Sequence, residues 1–429
     1  MCYLNKFFRN FSSRIFSNAL NSVYYCSFYG NYSGGYYGSY YRSYDRSYDR
    51  NCYPNKAASS RSRLFSQNRI CFLATTLVVL CSLPGTYNAA SNSITLSLLN
   101  YLIPSANAAV DESGVSKSDW LLPDVAPSPK GNKMDVKKAA LGKMLFFDPR
   151  LSGDGKMSCA TCHVPNLGWS DGLETAAGHN GMRLPRATLS IINVGFNKIL
   201  MWDGRNKELE DQAIDPILDP NEMKNTEKNL LKTLESIPGY VNAFKEAYWG
   251  LGISTSRIAS SLAMYQRQVV ATNSPFSRWA SGDESAMTDA QKRGFEIFTD
   301  TKRGNCVTCH RPPNFTDNGF HNIGLLSFKN SKPDLGRFNQ KKVDMTKGAF
   351  KTPTLWNIAQ TAPYFHDGSA KTLRQVLNHY ISGGKVRTNL SPNMKLLRLK
   401  PDEQNDLIEF LNALTGEVDQ KLTEFTLPR

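Results

Sequence analysis

Two pentapeptides limit what this chain can fold into: Cys159-Ala160-Thr161-Cys162-His163 and Cys306-Val307-Thr308-Cys309-His310. Both read C-x-x-C-H. At that spacing two thiols can add to the vinyl groups of one haem, and the histidine that follows is held under the iron. A single C-x-x-C also suits a redox dithiol or half of a zinc site. Two copies 147 residues apart, each with His in the fifth place, point instead to two covalently bound haem c groups. Each haem needs protein wrapped around it, so the expected architecture is two cytochrome c-like units. With haem attached, these four cysteines form no disulfide framework. The other five, Cys2, Cys26, Cys52, Cys71 and Cys81, all precede residue 82.

Composition divides the chain. Residues 1–109 hold 10 Lys+Arg against two acids, Asp45 and Asp49, and 14 of the 19 tyrosines. Within them, 24–53 repeats Tyr, Ser, Gly and Arg with no apolar period, so it cannot bury a core and is expected to be disordered. Arg61, Arg63 and Arg69 precede an apolar run at 70–83, and small residues follow at 88–90 and 106–109. This is the order of a secretory signal, and the run is short for a membrane span. An uncleaved anchor helix is the alternative. Export to a periplasm is expected. The long stretch ahead of the signal also suits a compound organellar presequence leading to an intermembrane space or lumen. The rest carries 41 Lys+Arg and 35 Asp+Glu, so over half of the net +14 lies in the leader. That bias reads as targeting, and no nucleic-acid partner is expected.

The expected domains are a leader and targeting segment at 1–109, a first haem domain at 110–280 and a second at 281–429. The mature part reads as mostly α with long loops. Helical spacing covers 136–147, closed by Asp148-Pro149, then 226–234 after Thr226 and 257–270 with Ile258, Leu262, Tyr265 and Val269 on one stripe. Pro216 and Pro220 argue against a regular helix in 209–223. Thr288 and Gln291 form a capping box for a helix that leads into the second motif. A like helix and Gly-containing loop precede the first motif, so the halves look like a divergent duplication. The stretch 312–353 is a long loop of the functional kind. Thr372 caps a helix with Leu373, Val376, Leu377 and Tyr380 on its buried stripe and His379 about 100° round, nearer the rim. Gly383-Gly384 stops it, and a last helix spans 402–414.

Chemistry then depends on the sixth position of each iron. An iron with two protein ligands only passes electrons, whereas an open iron beside an acid–base group activates peroxide. Here the residues resemble the bacterial dihaem cytochrome c peroxidases and the related MauG enzymes. The motifs that carry it run in order over about 135–417: LGKMLFFDPRLS, CATCH, NVGFNKILMWDGR, DPILDPNEM, CVTCH, FKTPTLWNIAQTAPYFHDGS and LNHYISGG. The resemblance implies that the first haem meets peroxide and the second handles electrons. It makes His163 and His310 the proximal ligands and Trp202 the electron relay between the haems. It makes Glu222 the acid over the first haem, where a carboxyl can take a proton from peroxide and return it to the leaving oxygen. The competing reading of Glu222 is a helix-start carboxylate near Thr226. Gln212 and Pro216 match residues that pack by the second haem.

The second haem's distal ligand separates the subfamilies. The peroxidases place a Met there and MauG a Tyr, and the matching position here is Tyr380. A core tyrosine is the plain alternative, and His379 and Met394 are rivals. His179 matches the peroxidases' labile histidine, which caps the oxidised first haem and leaves when the second is reduced. Family calcium is held by backbone oxygens at the positions of Thr361 and Pro363 plus an asparagine side chain, and here Ala187 replaces that asparagine. One Ca²⁺ is therefore left open. His321 and His366 are expected to be structural hydrogen-bonders. Three functions follow. The first is reduction of hydrogen peroxide to water, with electrons from a small donor such as a cytochrome c or cupredoxin entering at the second haem. The second is a MauG-like enzyme that uses peroxide to oxidise a partner protein at a distance. The third is a dihaem electron carrier, against which Glu222 argues. A homodimer is left open.

Overall fold

The computed structural model describes residues 116–429. The expected leader, its apolar run and its five cysteines lie outside the described residues. No helix among the described residues is long and apolar enough to cross a membrane.

The first half is built on α1 (Val136–Phe147), whose bounds are those expected. Asp135 caps it by accepting from the amides of Lys137 and Lys138. Helix α2 (Leu209–Leu218) corrects the sequence reading, because Pro216 lies inside it. Pro216 sits in the last turn, where its missing N–H frees one carbonyl only, and the Asp219 amide still closes on Asp215 at 2.9 Å. Pro220 falls beyond the end. Thr226 caps α3 (Glu227–Glu235), accepting from Asn229. Helix α4 (Pro238–Ala247) was not expected. Its signals are Pro at the first position and a buried stripe of Tyr240, Phe244 and Ala247. Helix α5 (Thr255–Gln266) ends short of the expected 270.

The second half holds α6 (Pro275–Ala280), α7 (Asp289–Thr299), α8 (Leu373–Ile381) and α9 (Pro401–Ala413). The Thr288–Gln291 capping box of α7 is present in both directions. Two-residue strands β1 (Phe320–His321) and β2 (Phe350–Lys351) pair antiparallel across the long irregular stretch.

The halves repeat one packing device. The helix before each motif crosses a later helix at a glycine: α1 meets α5 at Gly142, and α7 meets α9 at Gly294. A Cβ on Gly142 would run into the Ser261 carbonyl, and one on Gly294 into the Asp406 carbonyl. Each crossing anchors a hydrophobic core. The first contains Leu141, Leu145, Phe146, Ile258, Leu262 and Tyr265. The second is aromatic, with Trp120, Phe276, Phe295, Phe298, Phe315 and Phe410 all buried.

Packing does not follow chain order. Trp120, in the lead-in, is fully buried in the second core, and so are Phe276 and Trp279 of α6. The tail returns to the first half. Phe425 stacks on Phe147 at 4.4 Å, and the Leu422 carbonyl accepts from the Tyr265 hydroxyl at 2.8 Å.

Candidate active site

The two motifs are held in the same way. Cys159–Cys162 forms a single helical turn, and the His163 amide closes it on the Cys159 carbonyl at 2.9 Å. The His310 amide likewise closes on Cys306 at 2.9 Å. His163 donates from Nδ1 to the Trp169 carbonyl at 3.2 Å, and His310 from Nδ1 to the Phe315 carbonyl at 2.8 Å. A carbonyl only accepts, so Nδ1 carries the proton and Nε2 is left as the coordinating nitrogen. Trp169 and Phe315 both have left-handed backbones, at φ 58 and φ 49. Both rings are buried, which holds each aromatic in that conformation and aims its carbonyl at the histidine. Spacing gives no hint of this, because non-glycine residues rarely adopt positive φ. Burial pulls both imidazoles below their ordinary range, His310 to about 4, so both are neutral.

All four motif cysteines line one cavity of about 900 Å³, enclosed by both halves. Burial pushes the Cys159, Cys162 and Cys306 thiols up to about 12. A zinc ligand or an active redox dithiol needs accessible thiolate. Protonated thiols beside a neutral histidine with a free Nε2, facing an apolar space, fit thioether attachment of haem instead.

Trp202 lines the cavity and is gripped from both sides. Its indole N–H donates to the Ala187 carbonyl at 2.9 Å, and its own carbonyl accepts from the Lys351 amide at 2.8 Å. Beneath it, Arg186 bridges Asp203 at 2.8 Å and Asp334 at 2.7 Å. Burial works against both carboxylates, but Arg186 outweighs it and holds them below their usual range. The sequence offered no sign of this bridge, whose partners are 148 residues apart.

Glu222 also lines the cavity, on the turn after α2. Burial raises its carboxyl above the ordinary range, Asp219 adds to this, and Arg205 opposes it. Its charge reaches Cys162, so it faces the first motif. Gln212 and Pro216 line the same cavity from α2. The Pro216 carbonyl accepts from Met223 at 3.0 Å, which sets these residues beside Glu222 in the first half.

Tyr380 lines the cavity, and burial keeps its phenol well above the usual range, with Cys309 and Cys306 near enough to add to the shift. Met394 lines it too. His379 does not, and the expected burial order on α8 is reversed. His379 is 6% exposed and its Nε2 donates to the Ile323 carbonyl at 2.9 Å, while Tyr380 is partly exposed to the cavity. The long loop packs over the side of α8 that the helical pattern alone put at the rim. His179 stands outside the cavity lining, on a short turn with Nδ1 3.7 Å from Asp154.

Thr361 and Pro363 line the cavity, but the third expected calcium donor is missing. Ala187 has no side-chain oxygen and its carbonyl already accepts from Trp202. The nearby carboxylates Asp203 and Asp334 are committed to Arg186. Ca²⁺ takes six to eight oxygens, and these residues do not supply such a set, so no step below uses the ion. His366 stacks on Phe350 at 3.5 Å, and burial pulls it down to about 4. His321 bonds Asp317 through Nε2 at 2.9 Å and Ser391 through Nδ1 at 3.0 Å.

Residues 136–285 match the family described as Di-haem cytochrome c peroxidase, and 291–415 match Cytochrome c. The chain is 42% identical to the methylamine utilization protein MauG of Methylorubrum extorquens, over 73% of this chain and 88% of the relative. The chain belongs to the di-haem cytochrome c peroxidase and MauG family. A cytochrome c551 peroxidase of Nitrosomonas europaea is 33% identical, over 76% of this chain and 92% of that protein. Among solved structures, a MauG-like protein associated with microbial copper homeostasis superimposes with a TM-score of 0.67 at 29% identity, covering 71% of this chain and 98% of that one. This is a di-haem oxidoreductase, mostly helical, with two cytochrome c-like domains and residues suited to haem c at each motif.

Proposed function

We propose that this protein uses hydrogen peroxide to oxidise a partner protein at a distance, as a MauG-like enzyme. The observation that carries the reading is Tyr380, a cavity-lining tyrosine close to Cys306 and Cys309. A tyrosine ligand favours the ferric state of the second haem, whereas a methionine raises its potential. His179, turned toward Asp154, supports an uncapped first haem. Haem irons held under His163 and His310 would supply the redox chemistry of peroxide.

The side chains do the rest. Glu222, raised by burial and Asp219, takes a proton from peroxide and returns it to the departing oxygen, which leaves as water. Arg205 pulls that carboxyl back toward its ordinary value. Trp202, fixed by Ala187 and Lys351, passes electrons between the halves. The Arg186 bridge holds that relay still. Haem attachment to cysteine requires a compartment equipped for it, so a periplasm, or an organellar intermembrane space or lumen, is part of the reading.

The second reading is a peroxidase fed by a small donor protein. It is favoured by His179 following Gly178, which lines the cavity, on a turn of three residues. One experiment separates them. Fully ferric holoprotein is given one equivalent of peroxide and consumption is followed from the first second. Immediate consumption is expected. Consumption that waits for one supplied electron would install the small-donor peroxidase with His179 as its gate. Silence in both redox states would leave the electron carrier. Glu222→Gln should lower turnover by about 10²–10⁴-fold with both haems still attached, and full activity in that variant would remove Glu222 from the mechanism.

A further inference from the structure

We infer that Lys351 is the buried cation that pairs with a carboxylate of the second haem, positioning that haem and raising its reduction potential. Lys351 lies on β2, is 2% exposed and lines the cavity. Its ammonium has three donors, and one is spent on the Thr352 carbonyl at 2.8 Å. Among the described residues it makes no ion pair. Asp317, the nearest acid to act on it, is committed to His321 at 2.9 Å and to the Gly319 amide at 2.7 Å.

The other cavity-lining cations differ. Arg186 and Arg205 already face Asp203, and Lys332 and Lys395 are exposed. A buried ammonium without an anion is strongly disfavoured, so the anion comes with whatever fills the cavity. A haem brings two propionate carboxylates.

The second haem is the one indicated. The Lys351 charge reaches the His310 imidazole. The Thr352 carbonyl that Lys351 bonds also accepts from Thr316 at 2.6 Å, and Thr316 follows Phe315, whose carbonyl holds His310. A fixed positive charge beside an iron favours its reduced form. Lys351 therefore opposes the downward pull of a Tyr380 ligand, and it does so beside the relay, because its amide bonds the Trp202 carbonyl.

The inference rests on haem attachment at Cys306 and Cys309. Haem content per chain is measured first, so failure of that assignment shows separately. Lys351→Met keeps the length and removes the charge, and Lys351→Arg keeps the charge. Both holoproteins are titrated with redox mediators while each haem band is followed. Lys351→Met should lower the midpoint potential of the second haem and leave the first in place, and Lys351→Arg should stay near the parent. Loss of the second haem in Lys351→Met with retention in Lys351→Arg would also support pairing. An unchanged second midpoint in a fully loaded Lys351→Met protein would overturn it. So would loss of the haem in both variants, because the side chain would then be packing rather than pairing.

Discussion

At Glu222 two neighbouring charges pull in opposite directions, Asp219 upward and Arg205 downward, on a carboxyl that burial has already raised. The acceptor form is the carboxylate, so turnover should fall as pH drops through this raised value. Asp219→Asn removes the repulsion and keeps an oxygen for the Asn221 amide that Asp219 now accepts at 2.7 Å. The acid limb of kcat/KM for peroxide should therefore move to lower pH. Arg205→Gln should move it the other way. A limb that stays fixed in both variants would mean that another group controls proton delivery.

The elements are decided by two glycines. Each half needs its pre-motif helix pressed close to a later one, and only a residue without a Cβ allows the contact at Gly142 and Gly294. Gly294→Ala should cost about 1–3 kcal/mol through overpacking, read as a melting temperature several degrees lower in the haem-loaded protein. Gly131→Ala is the control, since a Cβ there meets nothing within 4 Å. Equal effects in the two variants would mean that backbone entropy, not packing, governs the crossing.

Across the whole molecule, Arg186 joins segments that lie far apart in the chain, and its loss would leave Asp334 without an ion pair among the described residues and Asp203, 4% exposed, with only Arg205 at 3.4 Å. Breaking a buried pair from one side costs about 3–5 kcal/mol. Arg186→Met should show that loss in thermal denaturation. The triple variant Arg186→Met, Asp203→Asn, Asp334→Asn should recover most of it. Both carboxylates are held below their ordinary value. The bridge therefore contributes fully above the unfolded carboxylate value of about 3.9 and is lost as pH falls through the lower folded values. A triple variant no more stable than the single one would mean that Arg186 acts instead through the Phe350 ring, 5.5 Å from its guanidinium.

What the sequence determined by itself was local. C-x-x-C-H fixes covalent chemistry over five residues, and Thr288 with Gln291, or Thr226 and Thr372 before their apolar periods, fixes a helix start. Those features need no distant partner, and the same holds for the likeness of the two halves. Pro216 misleads because the rule it invokes is positional, and its place in the last turn of α2 is known only once the helix end is known. Only the tertiary structure decided the rest. It set His379 into the long loop and Tyr380 toward the cavity, because burial on α8 depends on what packs over it. It sent Trp120 into the second core and laid Phe425 on Phe147 of the first half, against chain order. It turned Trp169 and Phe315 through left-handed backbones to hold the histidines. It also left Lys351 buried in the cavity wall without an ion pair among the described residues. The histidine contacts are local but depend on where the two aromatic rings are buried, and the others join segments far apart in the chain; periodicity and spacing carry no record of which distant segments meet.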